Sequence, residues 1–223
     1  MSRRTRAMTG TVTPDEMRQP IQSRAHVTID RICVAAVGIL AEGGWDAFNT
    51  NVVAARAGVS GPTVYRYFPN KYVLAAELRR RLDEAEEQAA VPAVERIETT
   101  SSLTAAVDRW VRATADARGA QPAALLLRSM SATVPDLSLS EADPDGVLRA
   151  LMAALQRLQP ALTANAAAER ARAIRTSVDS LIDDAMRDGR PSAQQLALIV
   201  ELATTMINAA AAAPAESLSG RAD

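Results

Sequence analysis

The sequence predicts an all-α protein of about nine helices, with a three-helix N-terminal domain containing a helix-turn-helix and a larger helical domain after it. Three observations predict this. Aromatics make up 3% of the 223 residues while alanine is abundant, a composition that suits helices and not strands. Apolar residues recur at spacings of three and four along most of the chain, and no alternating run appears. Glycine and proline punctuate that periodicity at intervals short enough for a bundle. The hydrophobic fraction of 48% excludes a wholly disordered chain.

Residues 1–22 hold Gly10, Pro14 and Pro20 and lack apolar periodicity. They read as a flexible basic arm tipped by Arg3, Arg4 and Arg6. From Thr28 to Ala41 the stripe Ile29, Ile32, Cys33, Ala36, Val37 and Leu40 predicts a helix, which Gly43 and Gly44 stop. Asn49 or Thr50 is the N-cap of a short helix ending near Ala57. Gly58 breaks the chain, Ser60 caps the next helix, and Pro62 sits in its first turn. Pro69 ends that helix around Phe68. A long helix runs from about Asn70 to about Ala90, with a break at Pro92.

The stripe Leu103, Val107, Trp110, Val111 and Thr114 predicts a further helix, and Pro122 starts another with Leu125, Leu126, Leu127 and Met130. Residues 131–146 read as a loop and Val147 to Leu158 as a short helix. Two longer helices follow at 164–188 and 192–212, and the tail 215–223 is frayed. The domain boundaries expected are therefore 1–22, 23–70, 71–214 and 215–223. No run of about 18 to 20 apolar residues is evident. The basic start MSRRTRAMTG is not followed by an apolar signal core, so a cytoplasmic chain is expected.

The net charge of -1 hides an asymmetry. Residues 1–81 carry twelve Arg or Lys against six Asp or Glu, and residues 82–223 carry thirteen against twenty. A basic end beside an acidic remainder suggests that only one end meets a polyanion. The segment NTNVVAARAGVSGPTVYRYF, residues 49–68, fits that purpose. Val53, Ala54 and Ala57 bury the first of its helices, Gly58 permits a left-handed turn, Val59 plugs the corner, and Val64 and Phe68 anchor the second helix. Gly61, Thr63, Tyr65 and Tyr67 then face outward. A helix presented this way enters a major groove with its N-terminal residues at base edges, and its free N–H groups favour phosphates.

The run AGVSGPTVYRYFPNK, with the preceding ILAEGGWDAF and the following Leu74, resembles the DNA-binding domain of tetracycline-repressor-like (TetR-family) regulators over about 50 residues. The resemblance implies a homodimeric transcriptional regulator, most often a repressor, released from a pseudo-palindromic operator by a small molecule in the C-terminal domain. It places Thr50 and Asn51 at the phosphate-touching start of the first motif helix. It places Ser60, Gly61, Pro62, Thr63, Tyr65, Arg66 and Tyr67 on or at the recognition helix. Lys71, the one lysine of the chain, matches the lysine that meets the DNA backbone. Phe48 stands where many members have threonine, and Val52 where a charge is common.

In the acidic remainder, Ala167, Ala171, Ile174, Val178, Leu181 and Ala185, and then Leu196, Ile199, Ala203, Met206 and Ala210, form helical seams. They suit either an internal core or, as the resemblance implies, a four-helix dimer interface through residues 164–212. The resemblance also implies a ligand cavity in the middle helices, with Trp110, Thr114, Leu126, Met130 and Met152 as candidate walls and an apolar or amphipathic ligand. Arg128 and Asp179 are further candidates for a charged ligand. No phosphate-binding glycine loop or nucleophile elbow is present. One histidine, His26, makes a histidine metal site improbable, Cys33 lies on an apolar stripe, and Asp183 and Asp184 diverge around a helix. No enzyme, cofactor, metal or membrane partner is expected. The rival reading is a helical small-molecule-binding or scaffold protein whose helix-turn-helix no longer binds DNA.

Overall fold

A computed structural model describes residues 14–121, 123–131 and 146–214, and within them nine helices and no strand. The chain divides into two compact units, residues 1–71 and 72–223. In the first unit, α1 (Pro14–Ala47) packs on α2 (Thr50–Ala57), which packs on α3 (Gly61–Tyr67). The second unit is built from α4 (Lys71–Glu95), whose first residue belongs to the first unit, α5 (Thr100–Gly119), α6 (Ala124–Ser131), α7 (Gly146–Leu158), α8 (Ala164–Ala185) and α9 (Ala193–Ala212).

α1 starts well before Thr28, inside the segment expected to be an arm. Proline at a first helical position loses no hydrogen bond, so Pro14 opens a helix there. The arginine tip, residues 3–6, lies outside the described residues, as do Pro122, the loop 132–145 and the tail 215–223. The helical path breaks at Gly44 (φ 65°, ψ -161°), as its glycine pair predicts. Ile32, Ala36, Ile39 and Leu40 bury the stripe of α1, and Cys33 is buried with them.

α4 continues through Pro92 to Glu95, beyond the expected break. The proline costs a helical hydrogen bond near the C-terminal end. Buried Ala90, Ala93, Val94 and Ile97 anchor the segment on both sides of it. Arg157 of α7 also donates to the terminal carbonyls of Glu95 (3.2 Å) and Ile97 (3.0 Å), where a cation suits the negative helix end.

The core of the second unit joins α4, α5, α7, α8 and α9. Trp110, Val107, Leu151, Leu155, Ile174, Val178, Ile182, Ala203 and Ile207 belong to it. α7 packs on α8, and α9 packs on α5, α7 and α8. Arg170 of α8 donates to the Ala210 carbonyl at 2.6 Å and so closes the C-terminus of α9. One expectation needs correction: α9 is a helix of 20 residues, long and apolar enough to cross a membrane by length and composition. Its one charge, Glu201, stands in an alanine- and leucine-rich run, so the polar residues are too few to interrupt the apolar stretch.

Candidate nucleic-acid interface

The helix-turn-helix is fixed by polar bonds at each joint. Asn49 is extended (φ -147°), and its Oδ1 accepts from the N–H groups of Asn51 (2.8 Å) and Val52 (3.1 Å). That frees the neighbouring hydroxyl. Thr50 is only 7% exposed and donates to the Tyr65 hydroxyl at 3.0 Å, tying the start of α2 to the middle of α3. Thr50 thus differs from the other candidate contacts, because its side chain faces inward.

At the far end of α2, Gly58 adopts φ 63°, ψ 39°, the left-handed conformation that a side chain disfavours. Arg31 of α1 donates through Nη2 to the Ala57 carbonyl at 2.6 Å and holds this turn from behind. Arg56 grips Glu42 with two nitrogens, each at 2.6 Å. The hydrogen bond holds the Glu42 carboxyl below its ordinary range. The guanidinium crosses Gly38, where a Cβ would lie 2.7 Å from Arg56 Nη2. Arg31 and Arg56 escaped sequence analysis, although both stand within the helical periods that pack the motif.

α3 begins with Ser60, whose Oγ accepts from the Thr63 N–H at 3.3 Å and lies 2.7 Å from the Thr63 hydroxyl. Val64 and Phe68 are buried and anchor the helix, while Val59 is half-buried at the corner. Tyr65 is 47% exposed, Pro62 and Arg66 are exposed, and Gly61, Thr63 and Tyr67 are half-buried. Arg66 donates to the Tyr67 hydroxyl at 2.9 Å and lies 4.8 Å above its ring. A Cβ on Gly61 would meet Asn51 Oδ1 at 3.8 Å, an ordinary contact. Lys71 Nζ stands 4.3 Å from the centre of the Trp45 ring, which in turn lies 5.2 Å from Phe48. Phe48 is fully buried, so an apolar ring fills the space below the entry to α2, and Val52 stands exposed on that helix.

The first unit therefore carries hydroxyls, an amide, a guanidinium and an ammonium on or beside α2 and α3, together with the N-terminus of a capped helix. Residues 32–78 match the family model of bacterial regulatory proteins, tetR family. That stretch runs from the buried half of α1 through α2 and α3 into the start of α4. The chain's fold over most of its length is that of TetR-family regulators. One similar structure is a putative TetR-family transcriptional regulator from Mesorhizobium loti, 20% identical, with 84% of this chain and 96% of that one covered and a TM-score of 0.60. Another is a multidrug binding protein, EbrR, complexed with imidazole, 18% identical, covering 83% and 96%, TM-score 0.55. A third is a TetR-family regulator from Streptomyces coelicolor, 21% identical, covering 92% and 100%, TM-score 0.51. A comparison with curated protein sequences finds no match.

In the second unit of this TetR-like chain, Trp110 and Thr114 are fully buried on α5, and Met152 packs half-buried against the same core. Leu126 and Met130 are half-buried on α6. Arg128 and Asp179 belong to a network that sequence analysis did not assemble. Glu86 of α4 accepts from Arg118 Nε and Nη2 (each 2.9 Å), from Arg128 Nη2 (2.8 Å) and from Arg175 Nη2 (2.9 Å). Arg118 also binds Asp179 and donates to Asp183 (2.8 Å). Burial alone would push the Glu86 carboxyl up, but the Arg118 hydrogen bonds and the three guanidinium charges hold it at about 2. Burial pushes the Asp179 carboxyl up, against Arg175 and Arg118. Arg118 continues the stripe of Trp110 and Thr114 by one turn, a charge on an apolar face that sequence alone could have flagged.

Proposed function

We propose that the protein is a homodimeric, sequence-specific DNA-binding regulator, a repressor that leaves its operator when a small molecule binds the second unit. The observation that carries the DNA-binding part is the exposed face of α3: Tyr65 stands out while Val64 and Phe68 are buried beneath it. Asn51, Ser60, Gly61, Pro62, Thr63, Arg66 and Tyr67 surround it. Thr50 contributes by positioning Tyr65 and by the N-terminal end of α2. Lys71 supplies a phosphate-seeking charge. Two recognition helices about 34 to 36 Å apart would read two half-sites, and so the reading requires a dimer.

Support for the dimer comes from α9. Leu198 and Leu202, four residues apart, are 56% and 41% exposed on an apolar helix. A second copy placed on that face within residues 164–212 would cover them. Support for a ligand comes from the buried polar groups of α5 and, by likeness of fold, from the imidazole complex of EbrR. A coupling of about 1 to 3 kcal/mol would lower operator occupancy 5- to 150-fold. Such a protein works in the cytoplasm and needs neither a cofactor nor a metal.

The test is a mobility shift with double-stranded DNA from upstream of the protein's own gene. The intact protein should retard it. Tyr65→Ala and Thr63→Ala should weaken binding, and Lys71→Gln should weaken all sequences alike and flatten the salt dependence. Unchanged affinity in all three variants, or no retardation of any duplex, refutes the reading.

A further inference from the structure

Helix α5 carries polar groups into the core of the second unit. Trp110, Thr114 and Arg118 stand four residues apart and so lie on one face. All three are buried. Every nitrogen of the Arg118 guanidinium is engaged, by Glu86, Asp179, Asp183 and the Asp179 carbonyl. The other two differ. Trp110 Nε1 and Thr114 Oγ1 are inaccessible to solvent and have no hydrogen-bond partner. An indole N–H is a donor only, and a buried donor left unpaired is costly. Buried polar atoms of this kind are rare, and each calls for an explanation. The two atoms stand one helical turn apart, in a core that also holds Val107, Val111, Leu151, Leu155 and Ala203, and packing alone does not account for their polarity.

We infer that Trp110 and Thr114 are the polar end of the effector site, and that the effector is an uncharged, largely apolar molecule bearing a hydrogen-bond acceptor such as a ketone, ester or amide carbonyl. This inference rests on the ligand-release reading and names the class of ligand. The acceptor follows from the indole donor, and the hydroxyl of Thr114 supplies a second donor one turn along. The lack of charge follows from Arg118. An anionic head group reaching along the stripe would have to take that guanidinium from three carboxylates already in place, and removing one partner from a buried ionic group is strongly unfavourable. A neutral carbonyl meets no such penalty. The space at Arg118, lined also by Ala117, Ala124, Glu86 and Arg128 but not by Trp110 or Thr114, is about 10 Å³, room for one water. Entry of an effector therefore selects a loosened arrangement of the core. Met152, half-buried against it, is the adaptable side chain at its margin.

The test uses the full-length protein without DNA and two probes of one shape, acetophenone and α-methylstyrene, which differ by a carbonyl oxygen against a methylene. The readouts are the thermal midpoint and the ¹⁵N–¹H resonance of the Trp110 indole. Acetophenone should move that resonance and bind about five- to tenfold tighter than α-methylstyrene, the worth of one or two hydrogen bonds. Thr114→Val, which keeps the volume, should narrow the difference, and Trp110→Phe should abolish it. An indole resonance unmoved by acetophenone, equal affinity for both probes in the intact protein, or tighter binding of benzoate than of acetophenone overturns the inference. A probe-free mobility shift run in parallel separates the two readings. Retained DNA binding with a silent indole refutes the ligand class alone, and lost DNA binding with a responsive indole refutes the regulator alone.

Discussion

Single residues decide whether the surface of α3 is both rigid and available. The Thr50–Tyr65 hydroxyl pair bridges two helices at 3.0 Å. Removing it by Thr50→Val or Tyr65→Phe should cost about 1 kcal/mol of stability each, and the double variant little more than either alone. Urea unfolding of the four proteins measures that cycle, and additive losses would show that the bond contributes nothing. Gly61→Ala separates folding from DNA contact. The added methyl has ordinary room beside Asn51, so the thermal midpoint should hold or rise slightly. Operator affinity should fall if backbone and phosphate approach closely there. Sequence reading found Tyr65, Thr63 and Ser60 because caps and outward spacing follow helical rules. The resemblance set Thr50 beside them, and sequence does not tell which of the adjacent Asn49 and Thr50 caps the helix. Asn49 takes that role, and Thr50 turns inward.

At the scale of elements, the turn between α2 and α3 depends on Gly58 and on the α1 guanidinium behind it. Gly58→Ala forces a side chain into a left-handed conformation, with its Cβ about 3.0 Å from Arg31 Nη2. A loss of about 1 to 2 kcal/mol is expected by chemical denaturation. Arg56 and Glu42 are 41% and 66% exposed, so breaking the pair by Glu42→Gln should leave stability nearly unchanged in the same denaturation assay. The starts of α2, α3, α7, α8 and α9 were legible within a residue, because Asn49, Ser60, Thr163 and Ser192 are cap residues or because an apolar stripe begins there. The ends of α1 and α4 were not. Pro14 and Pro92 read as breakers, yet one opens a helix and the other is carried by the packing around it. Tertiary contacts of this kind leave no local trace in sequence.

For the molecule as a whole, the buried network around Glu86 sets the response to acid. The folded Glu86 carboxyl sits at about 2, against 4.5 as its ordinary value. Its stabilisation is present above about pH 4.5 and is lost as the pH falls toward 2, an effect of about 3 kcal/mol at most. Asp179, raised by burial, works in the opposite sense and tempers it. Thermal midpoints of the intact protein should drop steeply across that window. Glu86→Gln should lower stability at pH 7 by about 3 kcal/mol or more and flatten the acid limb. The exposed leucines of α9 lead to a second expectation: Leu198→Glu with Leu202→Glu should give a monomer by light scattering and lose cooperative operator binding. A dimer persisting in that variant would place the subunit contact elsewhere. The network joins α4, α5, α6 and α8 across separations of up to 89 residues. Helical periodicity shows which residues share a face but not which faces meet, so it stayed invisible in the sequence.

One further property follows from Lys71, the sole ε-amine of 223 residues, stacked on the Trp45 indole. Amine-directed acylation, apart from the chain terminus, reports on a single spot beside the helix-turn-helix. Bound duplex should shield that spot, and the Trp45 emission should register the loss of its cation. The protein therefore carries a ready-made footprinting handle and its own optical readout, with no engineered label.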